Sequence, residues 1–249
     1  MDAIQFPAGG YRYLPGVFQY SGGVAAAPGF AIERACFAAS LPLAEGFAAA
    51  ESWLAARKRP LTAFCACELR SPASFTEQGF TDFNRHYVRT LERWGLYRND
   101  VNPVARTNVC PVLAPPAVPS LHAFSYTMPA DRAVPGTFVI AGSGEARDRG
   151  PTYRESIVRL RDVSVDGLRD KMRFVVDEME RRLGALGFSW AHATSAQAYT
   201  VHDIGPLIRD EIVRRGAAVN GLAWHYCRPP VVDLEYEMDV RGPAVEILL

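Results

Sequence analysis

In Val104-Ala105-Arg106-Thr107-Asn108-Val109 an arginine follows a loop and heads an apolar stretch. Its planar fork can grip a carboxylate, with Thr107 and Asn108 beside it as polar partners. The plainer alternative is a surface arginine in a salt bridge. Gly142-Ser143-Gly144-Glu145 closes another apolar stretch. Its glycines allow a ligand to approach backbone N–H groups and Ser143 adds a hydroxyl, although the same residues also make an ordinary turn. The segment is neither a nucleophile elbow nor a phosphate loop. Near the C-terminus Val232, Leu234, Tyr236, Met238 and Val240 alternate with Asp233, Glu235, Glu237 and Asp239. The acidic face is either solvated or turned into an interface, where a carboxyl of raised pKa can move protons. His86, His122, His192, His202 and His225 have no metal-ligand spacing, so no metal site is expected. His225, between Trp224 and Tyr226, suits either a structural or a site role.

The elements that must position these residues follow from periodicity. Strands are expected at Val17–Tyr20 and Phe30–Phe37, a helix over Leu43–Arg57, a strand over Leu61–Leu69 and a helix over Thr76–Trp94. Strands follow around Arg106–Val112 and Leu121–Thr127. The second half repeats this order. Phe138–Ile140 is a strand, Leu168–Leu186 an amphipathic helix, His192–Val201 a strand and Pro206–Arg215 a helix. Strands over Ala218–Tyr226 and Val232–Val240 complete it. Such a duplicated unit implies two domains, residues 1–128 and 129–249, with a hinge near Met128–Val134.

Composition narrows the function classes. Lys+Arg and Asp+Glu are both 27, so no net charge draws the chain to nucleic acid or to an anionic membrane. Only Lys58 and Lys171 are lysines, each in a charged, helix-like context, which argues against a Schiff-base lysine. The five cysteines are scattered and read as free thiols of a reducing compartment. Neither a signal peptide nor a membrane-length apolar run is present, so a cytoplasmic protein is expected.

Read in order, these fragments resemble the RidA family of enamine/imine deaminases. Phe83-Asn84-Arg85-His86-Tyr87 is similar to that family's Asn-x-x-Tyr helix, and Ala105-Arg106-Thr107 to its Ala-Arg-Ser/Thr strand. Ser143-Gly144-Glu145 is similar to its Ser-Gly-Gln, and Leu234-Glu235-Tyr236-Glu237 to its terminal Glu-rich strand. The resemblance implies an α+β fold of two tandem chorismate-mutase-like domains, each a mixed sheet with helices packed on one face. It also implies a homo-oligomer, a trimer or a multiple of three domains, with ligand sites between domains and no metal or organic cofactor. The arginine would hold a substrate carboxylate and a glutamate would position water to hydrolyse an enamine or imine.

The departures from that pattern matter too. Ala35-Cys36 and Ser120-Leu121-His122-Ala123 replace the expected Ser-Gly and glutamate strand of the first half, and Asn220-Gly221 stands near the second half's arginine position. A composite site is therefore expected, Arg106 and Asn84 facing Ser143 and Glu235, with Glu237 as the alternative proton-handling residue. Thr107, Asn108, Gly144, Glu145 and His225 are its remaining candidate substrate contacts. A longer two-copy chain is similar to deaminases acting on 2-aminomuconate or its 5-chloro derivative in aromatic degradation. The competing readings are a non-catalytic small-metabolite binder or holdase and, third, a lyase or mutase.

Overall fold

The computed structural model describes residues 2–130, 136–147 and 152–249. The first half gives β1 (Ile4–Phe6), β2 (Tyr11–Leu14), β3 (Gly23–Ala26), β4 (Phe30–Pro42), α1 (Leu43–Ala56), β5 (Phe64–Arg70), α2 (Glu77–Arg93), β6 (Ala105–Pro111) and β7 (Ser120–Pro129). The second gives β8 (Phe138–Gly144), α3 (Tyr153–Ser156), α4 (Val165–Ala185), β9 (Ser195–Tyr199), α5 (Gly205–Glu211), β10 (Leu222–His225), β11 (Cys227–Arg228), β12 (Glu237–Gly242) and β13 (Val245–Leu248). Helices α2, α3 and α4 start at side-chain caps: Thr76 accepts from Gly79 N at 3.1 Å, Thr152 from Glu155 N at 3.2 Å and Ser164 from Gly167 N at 3.1 Å. The expected hinge falls largely on residues 131–135, outside the described residues. Among the described residues no helix is long and apolar enough to cross a membrane.

The strand order overturns the expectation of two tandem chorismate-mutase-like domains. One sheet runs β1-β2-β3-β8-β12-β9-β10 and the other β11-β6-β5-β7-β4-β13, so each draws strands from both halves of the chain. The exchanges are β3 against β8 (Gly23↔Ile140), β13 alongside β4 (Glu246↔Arg34) and β11 against β6 (Cys227↔Pro111). The repeated element order misleads because a sheet covered by helices on one face still has a second face to bury. Here the two sheets cover each other. Tyr11, Tyr13, Val24 and Ala141 of the seven-stranded sheet meet Ile32, Cys65, Ala66 and Ala105 of the six-stranded one. Outside them, α1 and α2 place Phe47, Leu54, Tyr87 and Leu91 on Phe64 and Phe124. Helix α4 lays Met172, Val175, Val176 and Met179 on Ile140, Ala198 and Val240. The layers are helix, sheet, sheet, helix.

The last long strand begins at Glu237, not at Val232. Asp233 adopts a left-handed φ of 72°, a conformation that ends the period-two alternation. The buried Glu145 carboxylate then accepts from Glu235 N (2.6 Å) and Tyr236 N (3.0 Å), so backbone groups that would join a sheet are satisfied locally. The four acidic residues consequently do not share one face.

Between the sheets lies a charged cluster. Arg34 holds Glu68 through Nε (2.6 Å) and Nη2 (3.0 Å), and Arg241 Nη1 approaches the same carboxylate at 3.4 Å. Burial alone would raise the Glu68 pKa, but Arg241, Arg34 and Arg70 outweigh it and hold the group well below the usual range. Its stabilisation is thus complete above the unfolded glutamate value of about 4.3 and is lost as pH falls below that value. Glu68→Gln, which strands the arginines, is expected to lower stability at pH 7 by about 3–5 kcal/mol. It should also flatten the acid limb of the stability curve. Urea unfolding from neutral to acid pH checks both.

Candidate active site

Arg106 sits on β6, paired in parallel register with Cys67 of β5. Its guanidinium is enclosed by Tyr87 (4.9 Å from Cζ to the ring centre), Tyr20 (5.0 Å), Phe80 (5.5 Å) and Phe83 (6.0 Å). Three of these rings belong to α2, whose apolar stripe carries them inward together with Asn84. Asn84 Oδ1 accepts from Arg106 Nη1 at 2.5 Å. Arg106 is only 3 % exposed and forms no ion pair among the described residues, which removes the surface salt-bridge alternative. Arg106 Nε, Asn84 Nδ2 and Asn108 Nδ2 are buried donors without partners among the described residues. A buried cation beside unsatisfied donors is an environment made for an anion.

Glu237 opens β12, in register with Gly144 of β8. A Cβ on Gly142 would fall 2.2 Å from Glu237 Oε1 and 3.0 Å from Thr107 Cγ2, so glycine there is what admits the carboxyl. Gly142 N donates to Thr107 Oγ1 at 3.1 Å, tying β8 to β6. Burial, and next the charge of Asp239, raise the Glu237 pKa well above the usual carboxylate value; the Arg106 cation opposes them. Burial and Asp239 both favour the protonated form of Glu237, in which it can donate a proton.

Arg106, Asn108 and Glu237 line a small inner cavity of about 30 Å³. An outer cavity of about 230 Å³ adjoins it, lined by Ser143 and Arg182 among others. Tyr20, Phe80, Gly144, Tyr153 and Val231 border both, forming the neck between them. The arrangement offers a cation, an acid and a channel for a short anionic molecule.

The family model of 2-aminomuconate deaminase CnbZ matches residues 3–247. The chain belongs to the 2-aminomuconate deaminase CnbZ family. A 2-amino-5-chloromuconate deaminase from Comamonas testosteroni is 56 % identical over 249 residues, covering 100 % of this chain and 99 % of that protein. Among solved structures, a chorismatase aligns over 89 % of this chain and 77 % of its own (TM-score 0.48, 12 % identity). A cyanuric acid hydrolase from A. caulinodans aligns over 86 % and 66 % (TM-score 0.41, 12 % identity). The expectation of an enzyme of the deaminase type, acting on a C–N bond, agrees with CnbZ-family membership.

Of the residues singled out from sequence, Arg106, Asn84, Thr107, Asn108, Gly144 and Glu237 gather at the inner cavity, and Ser143 lines the outer one. The rest lie elsewhere. Glu235 points to His202 Nε2 (2.7 Å) and, at 3.5 Å, to Arg228. Glu145 is fully buried against Lys171 Nζ (3.1 Å), where it pins the segment leading into Glu237. Lys171 is likewise fully buried and donates to Val158 O at 2.8 Å. His225 stacks on Tyr199, with ring centres 5.0 Å apart. Tyr20, Phe80, Tyr153 and Arg182 complete the cavities without having been singled out. Arg182 alone carries a sequence signal: it is a charged residue beside the apolar stripe of α4. Gly142→Ala is expected to fold and to lower deaminase turnover by roughly 10²-fold, because displacement of a reacting group by about 1 Å has that effect. Steady-state ammonia release, with a melting curve as control, checks it.

Proposed function

We propose that this protein hydrolyses the C–N bond of an enamine dicarboxylic acid, 2-aminomuconate or its 5-chloro derivative, at the Arg106–Glu237 site. The observation that carries the assignment to these residues is the buried Arg106, without an ion pair among the described residues, lining one cavity with the buried carboxyl of Glu237, whose pKa burial raises. The substrate class rests on CnbZ-family membership and on the chlorinated substrate named for the 56 % identical relative.

Arg106 and the Nδ2 groups of Asn84 and Asn108 receive the carboxylate next to the amine, which orients C2 of the substrate. Glu237 begins protonated and gives its proton to the enamine carbon skeleton, converting the C2 amine into an iminium. The resulting carboxylate is then a base: it takes a proton from water as the oxygen adds to C2. The same group returns that proton to the nitrogen; as the C–N bond breaks and ammonia leaves, the C2 hydroxyl gives its proton back to the Glu237 carboxylate, which yields the 2-oxo acid and restores the protonated acid. Overall, enamine acid plus water gives 2-oxo acid plus ammonia. The aromatic enclosure strengthens the hold of Arg106 on the substrate carboxylate, since little water is present to screen it. A non-catalytic binder would have no use for a buried acid held neutral next to the anion grip.

The order acid-then-base fixes the pH dependence. The free enzyme is active with Glu237 protonated, so kcat/KM is flat at low pH and falls as pH rises through the raised Glu237 value. Glu237→Gln is expected to lose about 10²–10⁴-fold in kcat. Arg106→Met raises KM and, because the cation lowers the Glu237 pKa, moves the falling limb to higher pH. Glu235→Ala keeps most of the activity. Ammonia release from 2-aminomuconate generated in situ, followed across pH for each variant, tests this. Activity lost in Glu235→Ala but kept in Glu237→Gln would transfer the role to Glu235.

A further inference from the structure

The outer cavity holds a second buried arginine that the chemistry at C2 does not use. Arg182 projects from α4 and is 7 % exposed. Its Nε donates to Glu178 at 2.6 Å, while Nη1 reaches Ala141 O (3.2 Å) and Gly22 O (3.4 Å). Nη2 has only a long 3.5 Å contact with Ser143 Oγ among the described residues. Glu178 is shared, binding Arg181 through both oxygens at 2.7 Å, so one carboxylate serves two guanidiniums. The group is thus fixed in orientation and only partly neutralised, and it lines the chamber beside the Ser143 hydroxyl. The other charged groups lining this chamber, Glu77 and Arg147, are exposed and opposite in sign.

We propose that Arg182 and Ser143 form a second carboxylate grip, which makes the site select dicarboxylates over monocarboxylates. The proposal rests on the reading of the two cavities as the deaminase site. A six-carbon substrate with its C1 carboxylate on Arg106 passes the neck at Tyr20 and Tyr153 and delivers its C6 carboxylate to Arg182 Nη2 and Ser143 Oγ. A halogen on C5 then lies in the outer chamber, whose walls include Val17, Phe80 and Val231. Arg182 is here a specificity-determining residue, remote from the bond that breaks.

Two stable probes separate this from the catalytic reading: trans,trans-muconate and sorbate, six-carbon dienes with two carboxylates and one. Calorimetry on the full-length protein should show muconate binding about 10- to 100-fold tighter than sorbate, the range for a charge-assisted pair. Arg182→Met should reduce that preference to within about threefold and leave sorbate affinity unmoved. Ser143→Ala, a milder change that keeps the helix intact, should weaken muconate about three- to tenfold and sorbate not at all. Equal binding of the two acids by the wild type overturns the proposal, as does an undiminished preference in a folded Arg182→Met. If Arg182→Met unfolds, the wild-type preference and Ser143→Ala decide in its place. Selective muconate binding without ammonia release from 2-aminomuconate would sink the deaminase reading and keep the grip. Ammonia release without selectivity would do the reverse.

Discussion

A guanidinium withdrawn from water is costly unless a partner offsets the lost hydration, at several kcal/mol even after relaxation. Arg106 is walled in by four aromatic rings, and among the described residues its one hydrogen bond is to a neutral amide, Asn84. The fold tolerates this because rings present their negative faces to the cation, each contact contributing on the order of 1 kcal/mol. What is left unsatisfied is an appetite for an anion. Much of the site follows from it: the orphan donors around it, the channel leading to it, and an acid close by whose ionisation burial disfavours.

That last condition depends on how the two sheets pack. Glu237 belongs to the seven-stranded sheet and Arg106 to the six-stranded one, and they come together where β8 meets β6 across Gly142 and Thr107. Were Glu237 ionised, it would pair with Arg106 and close the site. Burial and the neighbouring Asp239 both push its pKa up, against that pairing. Because strands are traded across the middle of the chain, each sheet, and so each side of this juxtaposition, is built from both halves. Packing and electrostatics are therefore one constraint at this place.

Much of this is legible in the sequence, for identifiable reasons. Arg106 with Thr107 and Asn108, Ser143 with Gly144, and Asn84 on its helix are local patterns, and local patterns survive without knowledge of tertiary structure. The helices at 43–56 and 77–93 lie close to where apolar spacing puts them. The sheet partnership is not local. The repeated element order suggests separate domains, and nothing in either half announces that its bare sheet face will be covered by the other. The Glu235/Glu237 ambiguity has a sharper cause. Period-two alternation runs unbroken from Val232 to Val240, whereas the chain turns at Asp233 and hands two backbone donors to Glu145, ninety and more residues earlier. Glu235 is thereby sent to His202, and Glu237 alone enters the cavity. His225 reads as a site candidate because it is flanked by aromatics, and those same surroundings have it stacked on Tyr199 instead.

The central claim is that a neutral Glu237 stands beside a cationic Arg106 in the resting protein. Protein labelled with ¹³C at the glutamate side-chain carboxyl reports each group's protonation by its chemical shift, and Glu237→Gln identifies the resonance by its loss. A Glu237 signal that keeps the protonated shift through neutral pH, and titrates later still in Arg106→Met, is the predicted result. A signal that titrates with the ordinary glutamates would mean that Glu237 is ionised and ion-paired with Arg106, and would contradict the account.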